Sequence, residues 1–142
     1  LRLLYNDPAR VAGQGDTATT MGETVLYRGL HNATLSDDFV AGRAGGTEMA
    51  IMSTTSSWDV AVSFLLQASD GVGFGAAPHS LVLRFIVPNA MQFGAPIKWL
   101  SVNPQEDEVL FPPLTFLQPT GRYQIEQVGP TRLTVLEVSP LV

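Results

Sequence analysis

A single stretch of this chain carries a sustained helical period, and it is short. Val60, Ala61, Phe64, Leu65 and Ala68 recur at i, i+1, i+4, i+5 and i+8, which lays them on one helical face. Ser56 or Ser57 stands where an N-cap belongs, and Asp59 sits in the first turn, where negative charge is favoured. A second, shorter helix is expected at Leu35–Val40, opened by Ser36, Asp37 and Asp38 and followed by a glycine-rich turn at Ala41–Thr47. The remaining apolar runs are brief, β-branched or aromatic, and cut off by turn residues. They predict strands at Thr24–Leu30, Glu48–Thr54, Ser80–Val87, Ile97–Val102, Glu108–Phe111, Tyr123–Val128 and Arg132–Val138. Leu1–Gly22 gives no element, and Ser69–His79 reads as a glycine-rich loop. With 13 glycines and 10 prolines spread along the chain and no strand–helix–strand rhythm, the expectation is a mainly antiparallel α+β domain or a β-sandwich. A Rossmann arrangement does not fit.

Composition narrows the chemistry. At 142 residues, 45% hydrophobic and 15% charged, the chain suits one domain with one proper core. Leu81–Val87, its longest clear apolar run, contains Arg84 and falls far short of the ~18–20 residues of a helical membrane span. A net charge of −5 argues against binding a nucleic-acid backbone, which calls for a basic stripe. The absence of cysteine removes disulfides, a thiolate nucleophile and thiolate zinc sites. His31 and His79 lie far apart with no spaced cluster of donors, so no metal is expected and both read as surface or loop histidines. Gly71–Gly75 follows a helix and precedes a proline and a strand, the wrong context for a dinucleotide loop. The chain begins at Leu1 without a signal-peptide pattern and reads as one domain, residues 1–142, cut from a longer or processed precursor.

Three places carry chemistry. Arg28 lies inside an apolar strand between Tyr27 and Gly29, a cost unless it meets an acid or an anion. The glycine after it allows close approach to the backbone. Ser53, Thr54 and Thr55 end another strand with three hydroxyls, a pattern that also suits the turn into a helix. Glu106, Asp107 and Glu108 form an acidic run, commonly a solvated turn, but here it leads straight into Val-Leu-Phe-Pro-Pro. In an extended segment Glu106 and Glu108 project to the same face. Two carboxylates at the mouth of a sheet suit a reaction through a cationic intermediate, one stabilising charge while the other handles a proton.

The order Tyr-Arg-Gly, Ser-Thr-Thr, Glu-x-Glu resembles the mono-ADP-ribosyltransferases of the Arg–Ser–Glu clade, which includes animal ecto-enzymes and many bacterial toxins. The likeness extends to Asp59-Val60-Ala61 and Phe64 in the following helix and to the Glu-x-Glu-Val-Leu-x-Pro-Pro run, and covers roughly Val25 to Leu114. It implies two mainly antiparallel sheets packed roughly perpendicular, with an NAD cleft between them. By position, Arg28 would hold the NAD diphosphate, potentially in a bidentate contact. Gly29 would meet the nicotinamide carboxamide with its backbone, beside Tyr27. Ser53 would orient the catalytic glutamate, Thr54 and Thr55 would shape the strand end, and Phe64 would lie against the nicotinamide ring. Glu108 would bond the ribose hydroxyl and stabilise the oxocarbenium ion, and Glu106 would position and deprotonate the acceptor.

The resemblance thus implies transfer of ADP-ribose from NAD, as substrate, to an arginine side chain of a protein, by a monomeric domain without metal. A guanidinium stays protonated to above pH ~12, so it needs a carboxylate to relieve it of a proton. Two alternatives stand beside this: an NAD glycohydrolase, which needs Arg28, Ser53 and Glu108 but not Glu106, and a non-catalytic module that senses NAD or docks a protein. The sequence departs from the family's pattern in two respects. Thr55 stands in place of a serine, and no lysine or arginine occurs between Arg43 and Arg84, so Gln67 falls where a second phosphate-gripping cation is often found. Trp99, just ahead of Glu106, falls in the loop that the resemblance associates with the target.

Overall fold

Strand propensity and helix capping place the elements in the order β1 (Thr24–Leu30), α1 (Asp37–Val40), β2 (Gly46–Glu48), β3 (Met52–Thr55), α2 (Trp58–Gln67), β4 (Ser80–Val87), β5 (Ala95–Pro96), β6 (Glu108–Phe111), β7 (Thr115–Val128) and β8 (Thr131–Leu141). The structure, a computed structural model, describes residues 23–31, 33–67, 80–88, 94–97, 100 and 107–142. Several sequence expectations lie outside the described residues: Leu1–Gly22, Ala68, the loop Ser69–His79 with its Gly71–Gly75 run, Trp99 and Glu106.

The strands bond in the order β2-β7-β8-β4-β1-β3-β6-β5. Among the described residues every pairing is antiparallel except β4 with β8. This is the expected α+β class, with two short helices. The order hides a fold. β1 meets β4 along seven register pairs but β3 at one, Tyr27 opposite Thr55. Phe85 on β4 and Phe111 on β6 stand three places apart in the order, about 14 Å in a flat sheet. Their rings nevertheless stack at 6.0 Å. The ladder therefore turns back on itself at the β1–β3 joint, and β3, β6 and β5 form a second sheet packed on the first. Leu26, Leu83, Phe85 and Val138 of the larger sheet and Met52, Val109 and Phe111 of the smaller one share the main core.

The opposite face of the larger sheet is covered by α2, whose Val62 and Leu65 pack on Val82, Leu133 and Val135. Ser57 is the residue that opens this helix: its hydroxyl accepts from the Val60 amide and its carbonyl from the Ala61 amide. Ser36 does the same for α1 by accepting from the Phe39 amide. Arg84, the charge inside the apolar run, is paired with its register partner Glu137 at 2.8 Å.

Three expectations need correction. The strand foreseen at Glu48–Thr54 is two strands in different sheets, β2 on β7 and β3 on β6. Between them the Glu48 carboxylate accepts from the Ala50 amide, and the chain crosses over with Met49 and Ile51 in solvent. The glycine-rich turn is correspondingly shorter, because Gly46 and Thr47 already belong to β2. Of the strand placed at Ile97–Val102 only Ile97 and Leu100 are described, and neither is in a strand: Leu100 N–H donates to the Ile97 carbonyl, and β5 ends just before them at Pro96. In α2 the buried arc is Ala61, Val62 and Leu65, while Phe64 on the same helix is 57% exposed.

Candidate active site

Every candidate residue that the structure describes gathers around the joint between the two sheets. Arg28 shares the parity of Leu26, whose side chain enters the core, so the guanidinium is carried along that face toward β3. There its Nη1 donates to the Ser53 carbonyl at 3.2 Å. Among the described residues no carboxylate pairs with Arg28.

The antiparallel register of β3 and β6 sets the next contact. Ser53 stands opposite Leu110 and Thr55 opposite Glu108, so Ser53 and Glu108 are diagonal neighbours on one face. Ser53 Oγ donates to Glu108 Oε1 at 2.5 Å, a short bond of the kind a hydroxyl makes to a carboxylate. Thr54 points the other way, is buried, and donates to the Val109 carbonyl at 2.8 Å. The Thr55 hydroxyl accepts from the Ser57 amide at 3.0 Å and so ties the strand end to the start of α2. Ser53 is thus the member of the hydroxyl triplet aimed at the carboxylate, and its two neighbours hold the frame.

Asp107 has a φ of 45° and sits immediately before β6. A left-handed residue cannot continue an extended strand, so the same-face argument that linked Glu106 to Glu108 by alternation loses its premise. Aspartate is one of the residues that tolerate this conformation, and strain of this kind concentrates at functional sites.

Between these groups lies a cleft of about 360 Å³ lined by Tyr27, Arg28 and Gly29 from β1, Ser53, Thr54 and Thr55 from β3, and Glu108 from β6. Val60, Ala61 and Phe64 of α2 close it. Tyr27 meets Trp58 edge-on at 5.4 Å, which fixes its ring at the rim. The role of Gly29 differs from the sequence argument. A side chain there would come within 2.9 Å of the Ala61 carbonyl and of Leu65 Cγ, so this glycine first admits the helix. No group of three or more histidine, aspartate or glutamate side chains suited to a metal occurs among the described residues.

No protein-family profile matches this chain, and neither does any curated protein. Solved structures do. Plx2a, an ADP-ribosyltransferase toxin from Paenibacillus larvae, superposes with a TM-score of 0.56 at 16% identity over 85% of this chain and 62% of its own. HopU1, an ADP-ribosyltransferase of Pseudomonas syringae pv. tomato, gives 0.54 at 19% over 84% and 45%. Vis, an ADP-ribosyltransferase from Vibrio splendidus, solved in complex with agmatine, gives 0.50 at 23% over 84% and 50%. This chain has the ADP-ribosyltransferase fold. It spans about half the length of Vis and HopU1.

Within the ADP-ribosyltransferase fold, the geometry brings together Tyr27, Arg28, Gly29, Ser53, Thr54, Thr55, Phe64 and Glu108. Glu106 is outside the described residues. Sequence reasoning named Val60 and Ala61 only as part of the helical pattern and of the motif after the hydroxyl triplet, not as cleft residues, and it left His31, which contacts Phe64, as a surface or loop residue. The alternation of β1 carried a usable sign, because continuing it past Leu30 sends His31 to the side of Tyr27 and Gly29, where α2 lies.

Proposed function

We propose that this chain is an NAD-dependent mono-ADP-ribosyltransferase that moves ADP-ribose from NAD to an arginine side chain and releases nicotinamide. The observation that carries the reading is the 2.5 Å bond from Ser53 to Glu108 beside Arg28, which pairs with no carboxylate among the described residues. In this mechanism the Arg28 guanidinium grips the diphosphate, and Gly29 with Phe64 receives the nicotinamide. The glycosidic bond breaks with its electron pair going to nicotinamide, which leaves as a neutral base. Glu108 is fixed by Ser53 where positive charge develops on the ribose, a kind of stabilisation commonly worth about 10²–10³ in rate. A guanidinium nitrogen of the acceptor then bonds to the anomeric carbon and passes its proton to Glu106. The acceptor is an arginine of a protein, not a nucleic acid, and the domain acts as a monomer. The complex of Vis with agmatine supports a guanidinium as the acceptor to try first.

The test is nicotinamide release from NAD by the purified protein, with and without agmatine, following ADP-ribosyl-agmatine by mass spectrometry. The expected result is adduct formation that Glu108→Gln lowers by about 10²–10³ and that Glu106→Gln removes while sparing NAD hydrolysis. Nicotinamide release without adduct identifies a glycohydrolase, and NAD binding without turnover points to a sensing module or to an enzyme missing a partner domain. Full activity in Glu108→Gln would sink the site assignment.

A further inference from the structure

We propose that His31 is a positioning residue that braces Phe64, the aromatic wall of the cleft, in its substrate-receiving orientation. What the Phe64 ring receives rests on the transferase reading above, whereas the brace itself does not.

His31 touches Phe64 twice. Its Nε2 lies 3.1 Å from the Phe64 carbonyl oxygen, and its ring centroid lies 5.1 Å from that of the phenyl ring at a tilt of 47°. A carbonyl only accepts, so Nε2 carries the hydrogen and donates it. That carbonyl belongs to the last turn of α2, which has no basic residue of its own and where a helix leaves acceptors open. One imidazole therefore fixes the backbone of Phe64 and buttresses its ring at the same time. Phe64 needs the support. Its side chain is 57% exposed, and packing alone leaves such a ring free among rotamers. A ring ordered before ligand arrives removes part of the entropy cost of binding. Both the neutral Nε2–H tautomer and the imidazolium can donate, so the brace works in either charge state.

The test has two arms on the full chain. In kinetics, His31→Ala raises KM for NAD by about 2- to 10-fold, the scale of an aromatic pair, with kcat within about twofold. His31→Gln, which keeps an amide donor for the carbonyl, restores part of the loss. In a Phe64→Ala background His31→Ala adds nothing further. Additive losses, or a fall in kcat at constant KM, overturn the proposal. In NMR spectra, His31 shows the Nε2–H tautomer and His31→Ala shifts the Phe64 ring signals. An Nδ1–H tautomer, or ring signals that do not move, overturns it. If the wild-type protein neither binds nor turns over NAD, the transferase reading falls and the spectra alone decide the brace.

Discussion

Ser53 holds Glu108 by a bond of 2.5 Å, yet Ser53 itself lies exposed at the cleft, so its hydroxyl contributes little to the core. Ser53→Ala is therefore expected to leave the melting temperature within a few degrees and to lower kcat for nicotinamide release by about 10-fold or more, the worth of a hydrogen bond to a charged group. Steady-state kinetics beside a thermal melt checks both halves. Thr54→Ala should do the reverse, since Thr54 is buried and bonded to the Val109 carbonyl: stability falls by about 1–3 kcal/mol while kcat changes little. Much of this site was legible in residue order. Arg28, Ser53 and Glu108 were singled out as the candidates, and they meet. What was not legible is the division of labour inside the triplet, which depends on strand parity and register. The φ of Asp107 was also hidden, because nothing in the letters Glu-Asp-Glu announces a left-handed residue.

At the level of elements, α2 and β1 are fitted to each other through Gly29. Gly29→Ala places a methyl 2.9 Å from a helix carbonyl and from Leu65, and backbone cannot yield as a side chain tip can. The expected cost is about 1–3 kcal/mol, read by chemical denaturation, with Phe64 displaced and NAD affinity lowered together. Elements with strong local signals were readable: Thr24–Leu30, Ser80–Val87 and Glu108–Phe111 fall where β-branched and aromatic runs placed them. Those that failed are decided by distant partners. Gly46–Glu48 is a strand because β7 offers it an edge, and the Glu48 side chain ends it by bonding to Ala50. Periodicity located α2 but spread its apolar face too wide, since it cannot tell a residue facing the core from one lining a cleft.

Across the whole molecule the cleft draws on both sheets and on α2, so a ligand seated there ties them together. NAD at about 100 times its Kd is expected to stabilise the protein by about 2.7 kcal/mol, raising the melting temperature by roughly 5–10 °C in a thermal-shift assay. Glu108→Gln should keep most of that rise, because the amide can still bond the ribose hydroxyl and what it loses is the negative charge that counts as the glycosidic bond breaks. The arrangement of β4 between β1 and β8 has another consequence. β4 runs parallel to β8, a strand more than forty residues downstream, while its other edge takes β1. As the chain leaves the ribosome, Arg28, Ser53 and Glu108 all emerge before the strand that completes the centre of the larger sheet. Until synthesis passes Val138, β4 lacks the full partner strand on that edge, and Arg84 lacks Glu137 until that residue is made. The nascent polypeptide thus carries the three groups of the site before it has a sheet to hold them, and a message truncated ahead of Thr131 is expected to give a less soluble product, read from the soluble fraction after expression.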